Sequence, residues 1–207
     1  MKLVLLGAPG SGKGTLAKGL IKKLNIPSVS TGDLLRNSVS KQEPLGLEAK
    51  AYMEKGLLVP SELVIKILKE RLLEPDTKHG YILDGFPRTI EQAEVLEQFA
   101  QVDICLYLDV DKQVIVDRIS GRRTCKDCGN IYNTNSYHGD KCECGGELLV
   151  RADDNAETVA KRFDTFEQNT KPLIKYYKDK GIFKIVKGSN PEQTLNDALE
   201  VLGAEEK

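Results

Sequence analysis

The run "GAPGSGKGT", Gly7 to Thr15, sits between the short apolar run "KLVLLG" and the segment "KGTLAKGLIKKL", where Leu16, Leu20, Ile21 and Leu24 recur at helical spacing. A glycine-rich turn between a strand and a helix can wrap backbone N–H groups and the helix N-terminus around phosphate oxygens. Lys13 adds a point charge to such a cradle. In the general phosphate-loop motif a Ser or Thr follows the lysine, whereas here Gly14 takes that place and the hydroxyl arrives at Thr15.

A second group is the stretch "CKDCGNIYNTNSYHGDKCEC", residues 125 to 144, which holds four of the five cysteines. The C-x-x-C pair Cys125 and Cys128, followed by Gly129, lets two thiolates turn toward one ion. The second pair, Cys142 and Cys144, is one residue shorter. Zinc on all four cysteines, a site of three cysteines completed by His138, and no metal with free thiols or a redox disulfide are the alternatives. A segment of roughly thirty residues buries little apolar surface, so a metal would supply folding energy that a core cannot. With four protein ligands no position stays open, and such a zinc would be structural.

The third group is the arginines. Among the 30 basic residues only eight are Arg: Arg36, Arg71, Arg88, Arg118, Arg122, Arg123, Arg151 and Arg162. A planar fork of donors suits phosphate better than an ammonium does, so scarce guanidinium groups are worth locating.

The elements that must position these groups follow from periodicity. Besides "KLVLLG", unalternating apolar runs occur at "IPSVS", "YILDG", "ICLYLDV" and "IFKIVKG", and these predict strands buried on both faces. Amphipathic segments lie between them: "SELVIKILKERLL" with Ser61 as its cap, "TIEQAEVLEQFA", "DKQVIVDRIS", one long segment from Asn155 to Gly181, and "PEQTLNDALEVLG". Strand alternating with helix implies a parallel sheet covered on both sides. Two excursions break the alternation. Residues 30–59 carry two helical patterns, Gly32 to Ser40 and Leu45 to Lys55, and residues 121–150 carry Gly, Asn and Cys with little helical periodicity.

Composition narrows the function. A chain of 207 residues with 40% hydrophobic content can bury a sizeable core, and its net charge of −1 sets up no field that would gather nucleic acid or an anionic membrane. No apolar run reaches the roughly 20 residues of a membrane span, and the short apolar start is broken by Gly7 and Pro9. A cytoplasmic protein without a signal peptide is expected, and in that compartment clustered cysteines hold metal more readily than they form disulfides.

The motifs "GAPGSGKGT", "STGDLLR" (Ser30 to Arg36), "LDGFPRT" (Leu83 to Thr89) with Gln92, "GRR" (Gly121 to Arg123), "RADD" (Arg151 to Asp154) and "KRF" (Lys161 to Phe163) occur in this order across almost the whole chain. The set resembles the adenylate kinase family of nucleoside monophosphate kinases, in its long-lid form. The resemblance implies an α/β fold of the P-loop NTPase type, with a five-stranded parallel sheet flanked by helices, a helical AMP-binding insertion and a small zinc-ribbon-like lid. It divides the chain into a core (1–29, 60–120 and 159–207), an AMP-binding segment (30–59) and a lid (121–158). The implied reaction is ATP + AMP ⇌ 2 ADP with Mg²⁺, in a monomer whose partners are ATP, AMP and ADP. Family members with zinc carry C-x-x-C at both places, so "CEC" is a departure.

Carried over residue by residue, the resemblance makes Lys13, Arg88, Arg122, Arg151 and Arg162 catalytic. ATP would contact Gly10, Ser11, Gly12, Lys13, Gly14, Thr15, Arg118, Arg122 and Asn190, with Tyr132 either a shelf for the base or simply a packed lid aromatic. The AMP phosphate would meet Arg36, Arg88, Arg151 and Arg162. Its base would meet Thr31, the backbone of Leu57, Leu58 and Val59, Gly85 and Gln92, whose amide can both donate and accept against adenine, and Phe86 and Pro87 would be further AMP contacts. Thr31 is equally placed to cap a helix. Asp84, at the carboxyl end of a strand, is assigned magnesium contact through water, with Asp33 second. The acceptor is a phosphate oxygen already ionised at neutral pH, so alignment and charge stabilisation suffice without a general base. Arg71 and Arg123 are expected to make ordinary surface contacts, Cys105 to be core and His79 to be solvated.

Two alternatives keep the fold and change the nucleotides: GTP as donor, or UMP and CMP as acceptors. Thr31 and Gln92 favour AMP, and the long cysteine segment disfavours the short-lidded pyrimidine-nucleotide kinases. A remote alternative is a nucleotide-switched zinc-ribbon module for nucleic acid, which the few basic residues near the cysteines oppose.

Overall fold

The computed structural model describes residues 1–204. In chain order the elements begin β1 (Lys2–Leu6), α1 (Lys13–Leu24), β2 (Ser28–Ser30), α2 (Thr31–Ser40), α3 (Pro44–Glu54), α4 (Ser61–Leu72) and β3 (Tyr81–Asp84). There follow α5 (Ile90–Glu97), β4 (Ile104–Asp109), α6 (Lys112–Ser120), β5 (Arg122–Cys125), β6 (Ile131–Asn133) and β7 (Leu148–Leu149). The chain closes with α7 (Ala156–Thr165), α8 (Leu173–Asp179), β8 (Phe183–Lys187) and α9 (Pro191–Val201).

Five strands form one parallel sheet in the order β2-β3-β1-β4-β8. The absence of polar alternation in β1 has a direct cause. Leu3 and Leu5 point to a layer holding Leu16 and Leu20 of α1 and Ala198 and Leu199 of α9. Val4 and Leu6 point to the opposite layer, with Leu35, Ala49, Leu68, Leu96, Leu173 and Tyr177. Both faces are therefore apolar, as a helix-covered parallel sheet requires. β8 differs from the expectation of double burial: it pairs only with β4, and within it only Val186 is fully buried while Ile185 is 50% exposed. An edge strand lacks the second neighbour that would complete its cover.

The excursion after β2 is a pair of helices packed backbone to backbone. A Cβ on Gly46 of α3 would lie 2.2 Å from the Ser38 carbonyl carbon of α2, so only glycine permits this approach. The second excursion forms a separate three-stranded antiparallel sheet, β6-β5-β7. Within residues 121–150 the fully buried hydrophobic-class side chains are Cys125 and Cys142, at 2% and 4% exposure. The small sheet thus has almost no apolar core.

Three local expectations are corrected. Ser61 opens α4 as its first helical residue rather than its cap; Pro60 precedes it, and the Ser61 hydroxyl accepts from Gln92 Nε2 at 3.0 Å. Thr31 likewise is the first residue of α2, and its cap is Ser30, whose hydroxyl accepts from Asp33 N at 3.2 Å. The long amphipathic segment is two helices, not one: Lys171 N bonds five residues back to Phe166 O at 2.9 Å in a wide turn, and Pro172, which has no N–H, precedes α8.

Candidate active site

The phosphate loop leaves β1 and enters α1 through Gly12, with φ +103° and no side-chain cap. Gly10 has φ +80°, and a Cβ there would stand 2.5 Å from Ile119 of α6, so the loop backbone lies directly on that helix. The first turn of α1 contains no acidic residue. No side chain caps it, and although Thr15 N and Leu16 N bond to Gly12 O, its positive end faces the cleft with no carboxylate of its own first turn against it, an arrangement that suits an anion. The cleft has a volume of about 710 Å³ and takes in Gly10, Ser11, Gly12, Lys13, Gly14 and Thr15.

Around this helix end the structure gathers side chains from distant parts of the chain. Arg36, Arg88, Arg118, Arg122, Arg151 and Arg162 all line the cleft, as do Asp33 and Asp84. Lys13 donates to the carbonyls of Gly7 at 2.8 Å and Ala8 at 3.0 Å. Burial lowers its ammonium to about 8; Asp84 opposes the fall, while Arg88, Arg162 and Arg122 add to it. Burial, then the neighbouring Arg162, brings Arg88 down to about 10. Its guanidinium meets water through the mouth of the cleft yet is ringed by protein, with Nε on Gly85 O at 2.8 Å. Arg151 also falls to about 10, through burial and then the charges of Arg36 and Arg122. Besides burial, these cations depress one another, as like charges gathered in one cleft do.

The carboxylates balance part of that charge. Arg122 makes a two-pronged contact with the buried Asp154, Nε to Oδ2 at 2.7 Å and Nη2 to Oδ1. Arg162 pairs with Asp153 at 2.7 Å. Arg36 pairs with Asp33 at 2.6 Å, and Arg151 donates to Thr124 Oγ1 at 3.0 Å. Burial, with Lys13 opposing and Asp33 assisting, pushes the Asp84 carboxyl above its ordinary range. Its Oδ2 would lie 3.9 Å from a Cβ placed on Gly14, which puts the carboxylate beside the phosphate loop.

A narrower cavity of about 70 Å³ continues the cleft and is lined by Thr31, Leu57, Leu58, Val59, Gly85 and Gln92, together with Arg36, Arg88 and Arg162. Gln92 is buried, and its amide is engaged at both ends, Oε1 accepting from Arg88 N at 2.8 Å and Nε2 donating to Ser61. Thr31 Oγ1 faces Asp84 O at 3.5 Å. Pro87 lines the large cleft, whereas the Phe86 ring is packed in the core at 1% exposure. The Asn190 side chain caps α9 by accepting from Gln193 N at 2.8 Å. The neighbouring Ser189 lines the cleft, and its carbonyl accepts from Arg118 Nη2 at 2.5 Å.

Sequence reasoning missed the structural partners. Asp153 and Asp154 were visible as part of a motif, but nothing in one sequence marks Asp154 as the counter-charge of an arginine 32 positions away. Lys18, on α1, donates to Gly129 O at 3.1 Å and Asn130 Oδ1 at 2.7 Å, joining the core to the small sheet. Arg71 forms an ion pair with Asp76 at 2.7 Å, Arg123 donates to the Arg122 carbonyl, Cys105 is core and His79 is exposed.

The four sulfurs of Cys125, Cys128, Cys142 and Cys144 lie within 4.8 Å of one another. Cys125 and Cys144 are 3.6 Å apart and Cys128 and Cys142 3.5 Å, and none is in a disulfide. A tetrahedral zinc at about 2.3 Å from each sulfur needs separations of about 3.8 Å, so this donor set could hold the ion with small adjustments. His138 is exposed and stands outside the group. The two turns are built alike. In the first, Cys125 N bonds to Asn130 O and Gly129 N to Cys125 O; in the second, Cys142 N bonds to Gly146 O and Gly145 N to Cys142 O. The second turn is the first with one residue removed, which is how "CEC" still presents two thiols to one point.

The profile of the adenylate kinase family matches residues 5–182. The chain belongs to the adenylate kinase family. Among similar proteins, an adenylate kinase of Thermodesulfovibrio yellowstonii is 51% identical, the match covering 98% of this chain and 99% of the other. One of Caldicellulosiruptor bescii is 49% identical over 99% and 100% of the two chains, and one of Clostridium botulinum 45% identical over 98% and 99%. As an adenylate kinase family member, the chain is a nucleoside monophosphate kinase. Among the described residues no helix is long and apolar enough to cross a membrane.

Proposed function

We propose that this adenylate kinase transfers the γ-phosphoryl group of Mg-ATP to AMP, giving two ADP, with the residues of the cleft in the roles that follow. The observation carrying this assignment is the convergence of Lys13 and six arginines on an uncapped helix N-terminus. ATP would lay its phosphates along residues 10–15, where N–H groups and Lys13 replace hydration. Arg118 and Arg122 would flank the donor side, and Arg36 and Arg88 would grip the AMP phosphate. Arg151 and Arg162, which also line the cleft, would hold the transferring group, so that the reacting oxygens are aligned and the charge on the equatorial oxygens is met by fixed donors. Bound Mg²⁺ supplies charge neutralisation between the phosphates, and Asp84, with Asp33 beside it, would hold its waters. The narrow cavity is smaller than an ordinary ligand pocket, so AMP would enter by moving the segment 30–59 outward. Gln92 would then exchange its contacts with Arg88 and Ser61 for the adenine edge.

In the same proposal residues 1–29, 60–120 and 159–207 act as the core, 30–59 as the AMP-binding segment and 121–158 as a lid. Zinc on the four cysteines is structural, the enzyme is monomeric and cytoplasmic, and its partners are ATP, AMP and ADP. The test is ADP formation with AMP, CMP, UMP or GMP under ATP or GTP. AMP with ATP is expected to give the highest kcat/KM; a preference for CMP or UMP would overturn the acceptor assignment, and a preference for GTP the donor assignment.

A further inference from the structure

Tyr132, the central residue of the edge strand β6 and paired with Arg123 of β5, touches two sites at once. Its ring lines the nucleotide cleft and lies against Tyr137, with ring centres 4.3 Å apart and planes at 39°. Its hydroxyl reaches the cysteine group: the oxygen is 3.2 Å from Cys142 Sγ and accepts from Glu143 N at 3.4 Å. Glu143 is the single residue between Cys142 and Cys144, so the hydroxyl is seated on the shortened turn itself. Because the oxygen already accepts from Glu143 N–H, its one hydrogen is free to point at the sulfur, and a thiolate bound to metal can only accept. Hydrogen bonds of this kind orient a metal's ligands and strengthen their hold on it.

We infer that Tyr132 is a positioning residue that fastens the one-residue-short C-x-C turn around the metal through its hydroxyl and, through its ring, carries the state of that site to the wall of the nucleotide cleft. The inference rests on the zinc reading above. It accounts for two facts together: the second turn is one residue shorter than the first, and a tyrosine hydroxyl lies beside its Cys142 sulfur. Tyr137, the stacking partner, uses its own hydroxyl differently, donating to Lys141 O at 2.6 Å.

The test compares wild-type protein with Tyr132→Phe and Tyr137→Phe, each loaded with zinc and, separately, with cobalt(II). Tyr132→Phe is expected to release zinc to a chromophoric chelator about ten-fold faster, to shift the cobalt–thiolate charge-transfer band, and to raise KM for ATP more than KM for AMP. Tyr137→Phe is expected to keep the wild-type release rate and band. Release and spectrum unchanged in Tyr132→Phe would overturn the fastening role, and faster release with both KM values unchanged would overturn the link to the cleft. A wild-type protein that takes up neither metal would overturn the zinc reading and this inference with it.

Discussion

Lys13 shows how burial and neighbouring charge tune a single side chain. Burial, reinforced by three arginines and resisted by Asp84, brings its ammonium to about 8. A lysine with a lowered pKa is charged below that value and neutral above it, so raising the pH removes the point charge that would meet ATP. The expected outcome is a kcat/KM for ATP that falls by about ten-fold per pH unit above about pH 8, while kcat, read with phosphate in place, holds to higher pH. Initial rates across the alkaline range at saturating AMP check this, and a kcat/KM that stays level there would sink it. The lysine and its loop were legible in the sequence because their chemistry is made by adjacent residues, and adjacency is what a sequence displays. Asp154 was not. Its pairing with Arg122 depends on how β5 and the start of α7 are brought together, and no local pattern encodes that meeting.

Helices and strands were legible to the extent that their surroundings were uniform. β1, β3 and β4 have neighbours on both sides and helices on both faces, so their apolar runs translate directly into buried strands. β8 has a similar run but an open edge, and the break between α7 and α8 hides within one continuous amphipathic pattern. The α2–α3 pair depends on an even finer detail, the bare Cα of Gly46 against the backbone at Ser38. Gly46→Ala is expected to push the two helices apart at a cost of about 1–3 kcal/mol and to raise KM for AMP well above any change in KM for ATP. Chemical denaturation together with the two KM values tests this; an alanine variant as stable as the parent, with unchanged KM for AMP, would show that the close contact is not needed.

For the molecule as a whole, the pieces around the cleft are tied by few bonds. Lys18 reaches from the core to Gly129 and Asn130, and Thr158 and Thr165 of α7 reach the carbonyls of Glu54 and Gly56 at 3.3 and 3.4 Å. The small sheet cannot rely on an apolar core, since its buried side chains are themselves cysteines. Stripping metal with a chelator under reducing conditions is therefore expected to lower the melting temperature by several degrees before it abolishes phosphoryl transfer. Elemental analysis beside a melting curve checks it, and an unchanged curve after proven metal loss would remove the structural role. The general architecture could be anticipated from residue patterns, and the cysteine group from its spacing. The way three parts share one cleft could not, because it is set by contacts more than a hundred positions apart, such as Lys18 with Asn130. The crowd of guanidinium groups has one more consequence. ATP with AMP carries the same inventory of phosphoryl groups as two ADP, so a fixed array of positive charge faces an equal load before and after transfer. The site need not rebuild its field between directions, and the same protein can buffer the adenylate pool whichever way supply and demand push it.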